Sequence, residues 1–129
     1  MYLILLSLLA CTGGKPDDTA GEALAPTLTN VQAEVFTASC AFSSCHGGGS
    51  DMDLTDGNAH AAIVGVASPD APDRTLVVPG DAASSYLVEK CTPGATGLVG
   101  GLMPEGTAGL DAERLALLEA WVDAGALDD

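Results

Sequence analysis

The stretch from Thr92 to Gly109, TPGATGLVGGLMPEGTAG, constrains the fold more than any other part of the chain. Its glycines and prolines leave neither the 3.6-residue apolar period of a helix nor the alternation of a strand. A loop of that length is uncommon inside a compact domain unless something holds it in place. Two further stretches, GGGSDMDLTDG at 47–57 and SPDAPDRTLVVPGD at 68–81, are also irregular, the second broken by three prolines that cannot sit within a helix. The segments between them must supply the whole regular framework.

Those segments read as helices. Thr29 opens the first, with Gln32 three residues on in a capping-box pattern, and Val31, Val35 and Phe36 form an apolar stripe leading into Cys40. A short apolar helix is expected from Ala59 to Val66, beginning near Asn58, and a third from the N-cap Asp81 through AASSYLVEK to about Cys91 and Pro93. The last is the clearest: Asp111 caps it, Leu115, Leu118, Trp121 and Val122 line one face, and Gly125 stops it. No strand alternates convincingly, so the expected class is all-α, three to four helices with long ordered loops.

The N-terminal region divides in two. Residues 1–10, MYLILLSLLA, are an unbroken apolar run, too short to span a bilayer and suited to the core of a secretory signal. Leu8, Leu9, Ala10 and Cys11 resemble a bacterial lipobox, which implies a signal peptide over 1–10 and a lipidated Cys11 as the mature N-terminus. The competing reading is a buried N-terminal segment with a free cysteine, but the polar sequence that follows offers it nothing to pack on. Residues 11–28 then form a flexible tether, and residues 29–129 a single domain with a thin core. Thr12, rather than Asp, after Cys11 fits sorting to the outer membrane by the usual rule for such lipoproteins.

Beyond the tether the aromatic residues are Phe36, Phe42, Tyr86 and Trp121, so a large apolar cofactor would supply missing bulk, although small Ala- and Val-rich helices also pack closely. The formal net charge is -14, with only Lys15, Arg74, Lys90 and Arg114 positive. That balance argues against a nucleic-acid partner and against direct electrostatic docking on anionic lipid. It suits either a basic partner surface or, more simply, solubility.

The chemistry is concentrated in SCAFSSCHGG, residues 39–48. A Cys-His pair preceded by a second cysteine is the pattern of covalent haem attachment, but the usual motif has two residues between the cysteines, whereas Cys40 and Cys45 have four. Met103, followed by Pro104 at the apex of the long loop, offers a thioether to iron, and Met opposite His is the ligand pair that raises the potential of cytochromes c.

Taken in order, VFTASC, CHGG, MDLTDGNAHAAIVGV, VVPGDAASSYLVEK, LMPEG and LEAWVDAGA resemble a class I c-type cytochrome. More narrowly they resemble the small cytochrome c domains of planctomycete and myxobacterial secreted proteins and lipoproteins, over about residues 29 to 127. The resemblance implies a cytochrome c-like fold around covalent haem c, with His46 the proximal ligand, Met103 the distal one, and Cys45 bonded to a haem vinyl. It also implies packing of the first helix on the last, with Tyr86, Trp121 and Val77 to Gly80 near the haem and Arg74 near a propionate. The function implied is a periplasm-facing, lipid-anchored carrier of single electrons between periplasmic or membrane redox proteins. With both axial positions filled the iron has no open substrate site, so no enzyme is expected.

The wide spacing leaves three readings open. Cys40 and Cys45 both form thioethers, leaving Cys91 free. Alternatively Phe42 stands where the first cysteine would be, as in the single-thioether cytochromes of some protists, and Cys40 pairs with Cys91 in a disulfide, leaving no mature thiol over. Or no haem is bound, and the chain is a disulfide-stabilised binding or structural lipoprotein on a cytochrome-like scaffold. Zinc on Cys40, Cys45, His60 and Cys91, or copper on Cys45, a histidine and Met103, fits known spacings poorly. His60 reads first as a surface residue and second as an alternative axial ligand; Met52 reads as packing beside Leu54.

Overall fold

The computed structural model describes residues 22–129. The proposed signal segment, Cys11 and the tether up to residue 21 lie outside the described residues. Four α-helices, α1 (Leu28–Val31), α2 (Ala59–Ile63), α3 (Tyr86–Cys91) and α4 (Ala112–Asp123), form the framework. A π-helical segment, Gln32–Thr37, continues α1, and a 3-10 turn, Ala82–Ser84, precedes α3. Among the described residues there is no strand, only isolated bridges between Val64 and Val77 and between Ala67 and Thr75. The expected all-α class holds.

The first helix starts earlier than its sequence suggests. Thr27, not Thr29, is the N-cap, and its hydroxyl accepts from the Asn30 amide. The Thr29 hydroxyl instead donates to the Asp129 carbonyl at 3.0 Å, and Gln32 turns inward rather than reaching back. The capping box does not form because the C-terminus occupies that helix end, where Asp129 also accepts from the amides of Leu28 and Thr29. Val31, Gln32, Val35, Phe36 and Cys40 form one buried stripe at helical spacing, so the apolar face of this helix runs on to Cys40.

α2 is shorter than expected. Val64 leaves the helix in extended conformation to bridge Val77, and the Gly65 amide donates to the Val77 carbonyl at 2.9 Å. The third helix is interrupted at Ser85. Its hydroxyl donates to the Asp81 carbonyl at 2.8 Å and accepts from the Val78 amide, while the amides of Tyr86 and Leu87 donate to Thr75 and Leu76. Local side-chain bonds of this kind compete with helix continuation.

α4 forms as its sequence indicates. Asp111 accepts from the Arg114 amide, and Leu118, Trp121 and Val122 are buried. It packs against α1, the π-helical segment and α3, and Arg114 Nε donates to the Glu34 carbonyl at 2.7 Å. Trp121, Tyr86, Phe36 and Leu54 are each at most 1% exposed, and with the valines and alanines around them they close the core.

Candidate functional site

Cys40 is the last residue of the first buried stripe. Its amide donates to the Phe36 carbonyl at 2.8 Å, continuing the helical ladder, and its side chain joins the core with 8% exposure. The chain then turns on itself. The His46 amide donates to the Cys40 carbonyl at 3.1 Å, and those of Cys45 and Gly47 to the Phe42 carbonyl, each at 2.9 Å. Gly47 is required by this turn, since a Cβ there would lie 2.8 Å from the Phe42 oxygen and 2.9 Å from Ser43 Cα. The two extra residues between the cysteines therefore separate their environments: Cys40 is in the core, Cys45 is exposed beside Ser44, and Phe42 is 51% exposed.

His46 is half-buried and held through its backbone. Its carbonyl accepts from the Leu54 amide at 2.8 Å, and the Leu54 carbonyl accepts from Gln32 Nε2 at 2.9 Å. A buried glutamine on the first helix thus fixes the loop behind the histidine. Among the described residues the His46 ring forms no hydrogen bond within the chain, whereas His60 Nε2 lies 2.8 Å from the Ala126 carbonyl and its ring meets the edge of Trp121. His60 thus ties α2 to the C-terminal segment. Of the two histidines, only His46 has both ring nitrogens without a hydrogen-bond partner among the described residues.

The loop after α3 is held by the chain itself. The Met103 amide donates to the Lys90 carbonyl at 2.7 Å and the Leu110 amide to the Cys91 carbonyl at 2.9 Å. Lys90, 7% exposed, sends its ammonium to the Val99 carbonyl at 2.7 Å, and the Val99 amide donates to the Tyr86 hydroxyl at 2.9 Å. Met103 packs half-buried against the core. Gly109 has φ +103°, and a Cβ there would lie 2.7 Å from the Cys91 oxygen. The loop thus hangs from one helix end, with Met103 anchored to the residue before Cys91.

Several residues assigned near a haem have other partners. The Arg74 guanidinium lies 4.0 Å above the Tyr86 ring and pairs with Glu89. Trp121 is buried and donates to the Leu127 carbonyl, and the Gly80 amide donates to the Val122 carbonyl. Met52 packs against the core, as expected. Cavities of about 350 Å³, beside Val88, Glu119 and Asp123, and about 120 Å³, beside Gln32, His60 and Asp129, include none of Cys40, Cys45, His46 and Met103.

Burial also sets the acidity of Cys40 and Cys91. Burial, and secondarily the neighbouring Cys40, push the Cys91 thiol up to about 12; burial, then Cys45, push Cys40 up to about 11. Both buried thiols stay protonated at neutral pH and are poor ligands or nucleophiles in that state. Among the described residues no three His, Cys, Asp or Glu side chains gather as a metal site, so the zinc set of Cys40, Cys45, His60 and Cys91 is not assembled.

The roles of Gln32 and Lys90 were not apparent in the sequence. A polar residue within an apolar helical stripe was the available signal for Gln32, and for Lys90 there was none beyond its place next to Cys91. Comparison with protein-family models, curated proteins and solved structures finds no match to this chain.

Proposed function

We propose that this chain is a monohaem c-type cytochrome that carries single electrons, anchored through Cys11 at the periplasmic face of the outer membrane. The observation that carries the reading is the half-buried His46 ring, without a hydrogen-bond partner among the described residues, directly following an exposed cysteine thiol. This donor set fits covalent haem held by Cys45 and ligated by His46. The burial of Cys40 supports one thioether in place of two. Met103 would supply the opposite ligand from a loop whose anchors, Lys90, Cys91 and Tyr86, fix it without using the sulfur.

When bound, haem supplies a metal centre that gains and loses one electron. The chain holds the His46 backbone through Leu54 and Gln32, and His46 and Met103 would both serve as iron ligands, which suits a carrier and not an enzyme. Its redox partners would be periplasmic or membrane proteins, and the acidic surface turns away nucleic acid and anionic lipid. Among the described residues no helix is long and apolar enough to cross a membrane, and the anchor proposed at Cys11 needs none.

The test is expression with cytochrome c maturation machinery, followed by acid-acetone extraction and a visible spectrum of the reduced protein. Retained colour with sharp low-spin bands, lost in His46→Ala while the far-ultraviolet circular dichroism is unchanged, is expected. A colourless, folded wild-type protein would refute the proposal. The alternative, a haem-free structural lipoprotein, is favoured by one observation: the long loop is tied to its own helix by hydrogen bonds of Lys90, Tyr86 and Cys91.

A further inference from the structure

A groove of about 350 Å³ lies between α3 and α4, on residues that the candidate haem site does not use. Its floor is apolar, from Ala82 and Ala83 of the 3-10 turn, Val88 of α3 and Ala95 beyond it. Its lip carries carboxylates: Glu89 on α3, and Glu119 and Asp123 one turn apart on α4. Among the described residues Glu89 is paired with Arg74, whereas Glu119, half-buried, and Asp123 form no ion pair. The other described cations are committed elsewhere, Lys90 to the Val99 carbonyl and Arg114 to Asp111 and Glu34.

That placement works against the helix. Like charges four residues apart are neighbours on a helix surface and repel. Asp123 is also the last residue of α4, where the terminal carbonyls already carry partial negative charge and no basic residue lies in the last turn. One Asp123 oxygen accepts from the Ala82 amide at 2.8 Å, which accounts for that residue but not for Glu119. We propose that this groove docks a lysine or arginine side chain of a basic partner protein, its methylenes along Val88 and Ala95 and its charged end at Glu119 and Asp123. Such side chains lay their stems on apolar surface and keep their heads at a wet rim, which matches an apolar floor beneath an unpaired acidic lip. The net charge of -14 draws in a basic surface, and the groove decides where one of its side chains is seated. None of Cys40, Cys45, His46 and Met103 lines the groove, so the inference stands whether or not haem is bound.

The full chain, isotope-labelled, is titrated with tetralysine at low ionic strength, and two-dimensional amide spectra locate the contact. Saturable shifts are expected at Ala83, Thr92, Ala95, Glu119 and Asp123, and none with tetralysine acetylated on its side chains. Glu119→Gln should weaken binding about fivefold, and Asp123→Asn, which keeps an oxygen for the Ala82 amide, by a similar factor. Glu113→Gln removes the same charge from the first turn of α4 and should change the affinity less than about twofold. Ala83→Trp, at an exposed position on the groove, keeps every charge and fills the space, so it should abolish the shifts.

Equal weakening in Glu113→Gln and Glu119→Gln would overturn the proposal, because the attraction would then be to net charge alone. So would unchanged binding in Ala83→Trp, shifts confined to residues outside the groove, or no saturable shift with tetralysine. Spermidine that maps to the same residues and is not displaced by tetralysine would assign the groove to a free polyamine, and this too would overturn docking of a protein side chain. The titration is read on protein with or without haem, so its failure leaves the visible spectrum, and the haem reading, untouched.

Discussion

Gln32 is the residue whose replacement most directly tests how the fold positions the candidate ligand. Its amide donates to the Leu54 carbonyl at 2.9 Å in a buried setting and to the Thr37 hydroxyl at 3.1 Å nearer the surface. Gln32→Met keeps the length and apolar contact of the side chain and removes both donors. Thr37 is exposed and finds water, so its loss costs little. The Leu54 carbonyl is left without that partner, at a cost of about 1–3 kcal/mol. For a domain of this size that corresponds to a fall in melting temperature of about 4–12 °C, read by far-ultraviolet circular dichroism. Gln32→Glu, which at neutral pH sets an acceptor against an acceptor, should fall further. Hydrogen exchange at the Leu54 amide, bonded to the His46 carbonyl, should accelerate in both variants. A Gln32→Met melt within about 2 °C of wild type, with Leu54 protection intact, would refute the claim that Gln32 holds the histidine loop.

Gly109→Ala should be costlier than Gly49→Ala. Both positions have φ near +100°, but only at 109 does the new Cβ meet backbone, 2.7 Å from the Cys91 oxygen, and urea midpoints give the order. His60→Phe should keep the edge packing on Trp121 and lose about 1 kcal/mol with the bond to Ala126, while the visible spectrum of haem-loaded protein stays unchanged; a spectral change would restore His60 as a ligand. Hydrogen bonds from Thr55, Ser84 and Arg114 hold the carboxyls of Asp53, Asp81 and Asp111 below the usual aspartate value of 3.8. Their contribution is therefore present above that value and is lost as pH falls through the lower folded values. Melts between pH 5 and about 2 should decline, and less steeply in Asp111→Asn. In protein kept as dithiol, Cys40 and Cys91 act in the opposite direction. Their folded values near 11 and 12 exceed the ordinary 9.0, so stability is lost as pH rises above about 9, and Cys91→Ala should flatten that decline.

The local signals already present in the chain were those carried by neighbouring residues. Asp111 with Arg114, the stripe Leu118, Trp121, Val122, and the run Val31, Val35, Phe36 each depend on spacing along one helix, and each is where that spacing puts it. The same stripe, extended by four residues from Phe36, already directs Cys40 inward and leaves Cys45 beyond the helix end. His46 and Cys45 were legible as a pair because adjacency is a property of sequence.

What only the tertiary structure decided involves residues far apart in the chain. Asp129 takes the helix start that Thr29 and Gln32 would otherwise have shared, and Thr75 and Leu76 take the amides that would have let one helix run from Asp81 to Cys91. Gln32 finds Leu54, Lys90 finds Val99, and Cys91 comes to share a core with Cys40, none at a separation that helical or strand periodicity encodes. Backbone donors and acceptors must be satisfied somewhere once buried, and the partner is chosen by which segments the core brings together. Hydrophobic spacing therefore specified the faces of the helices, and packing specified which loop each face would hold.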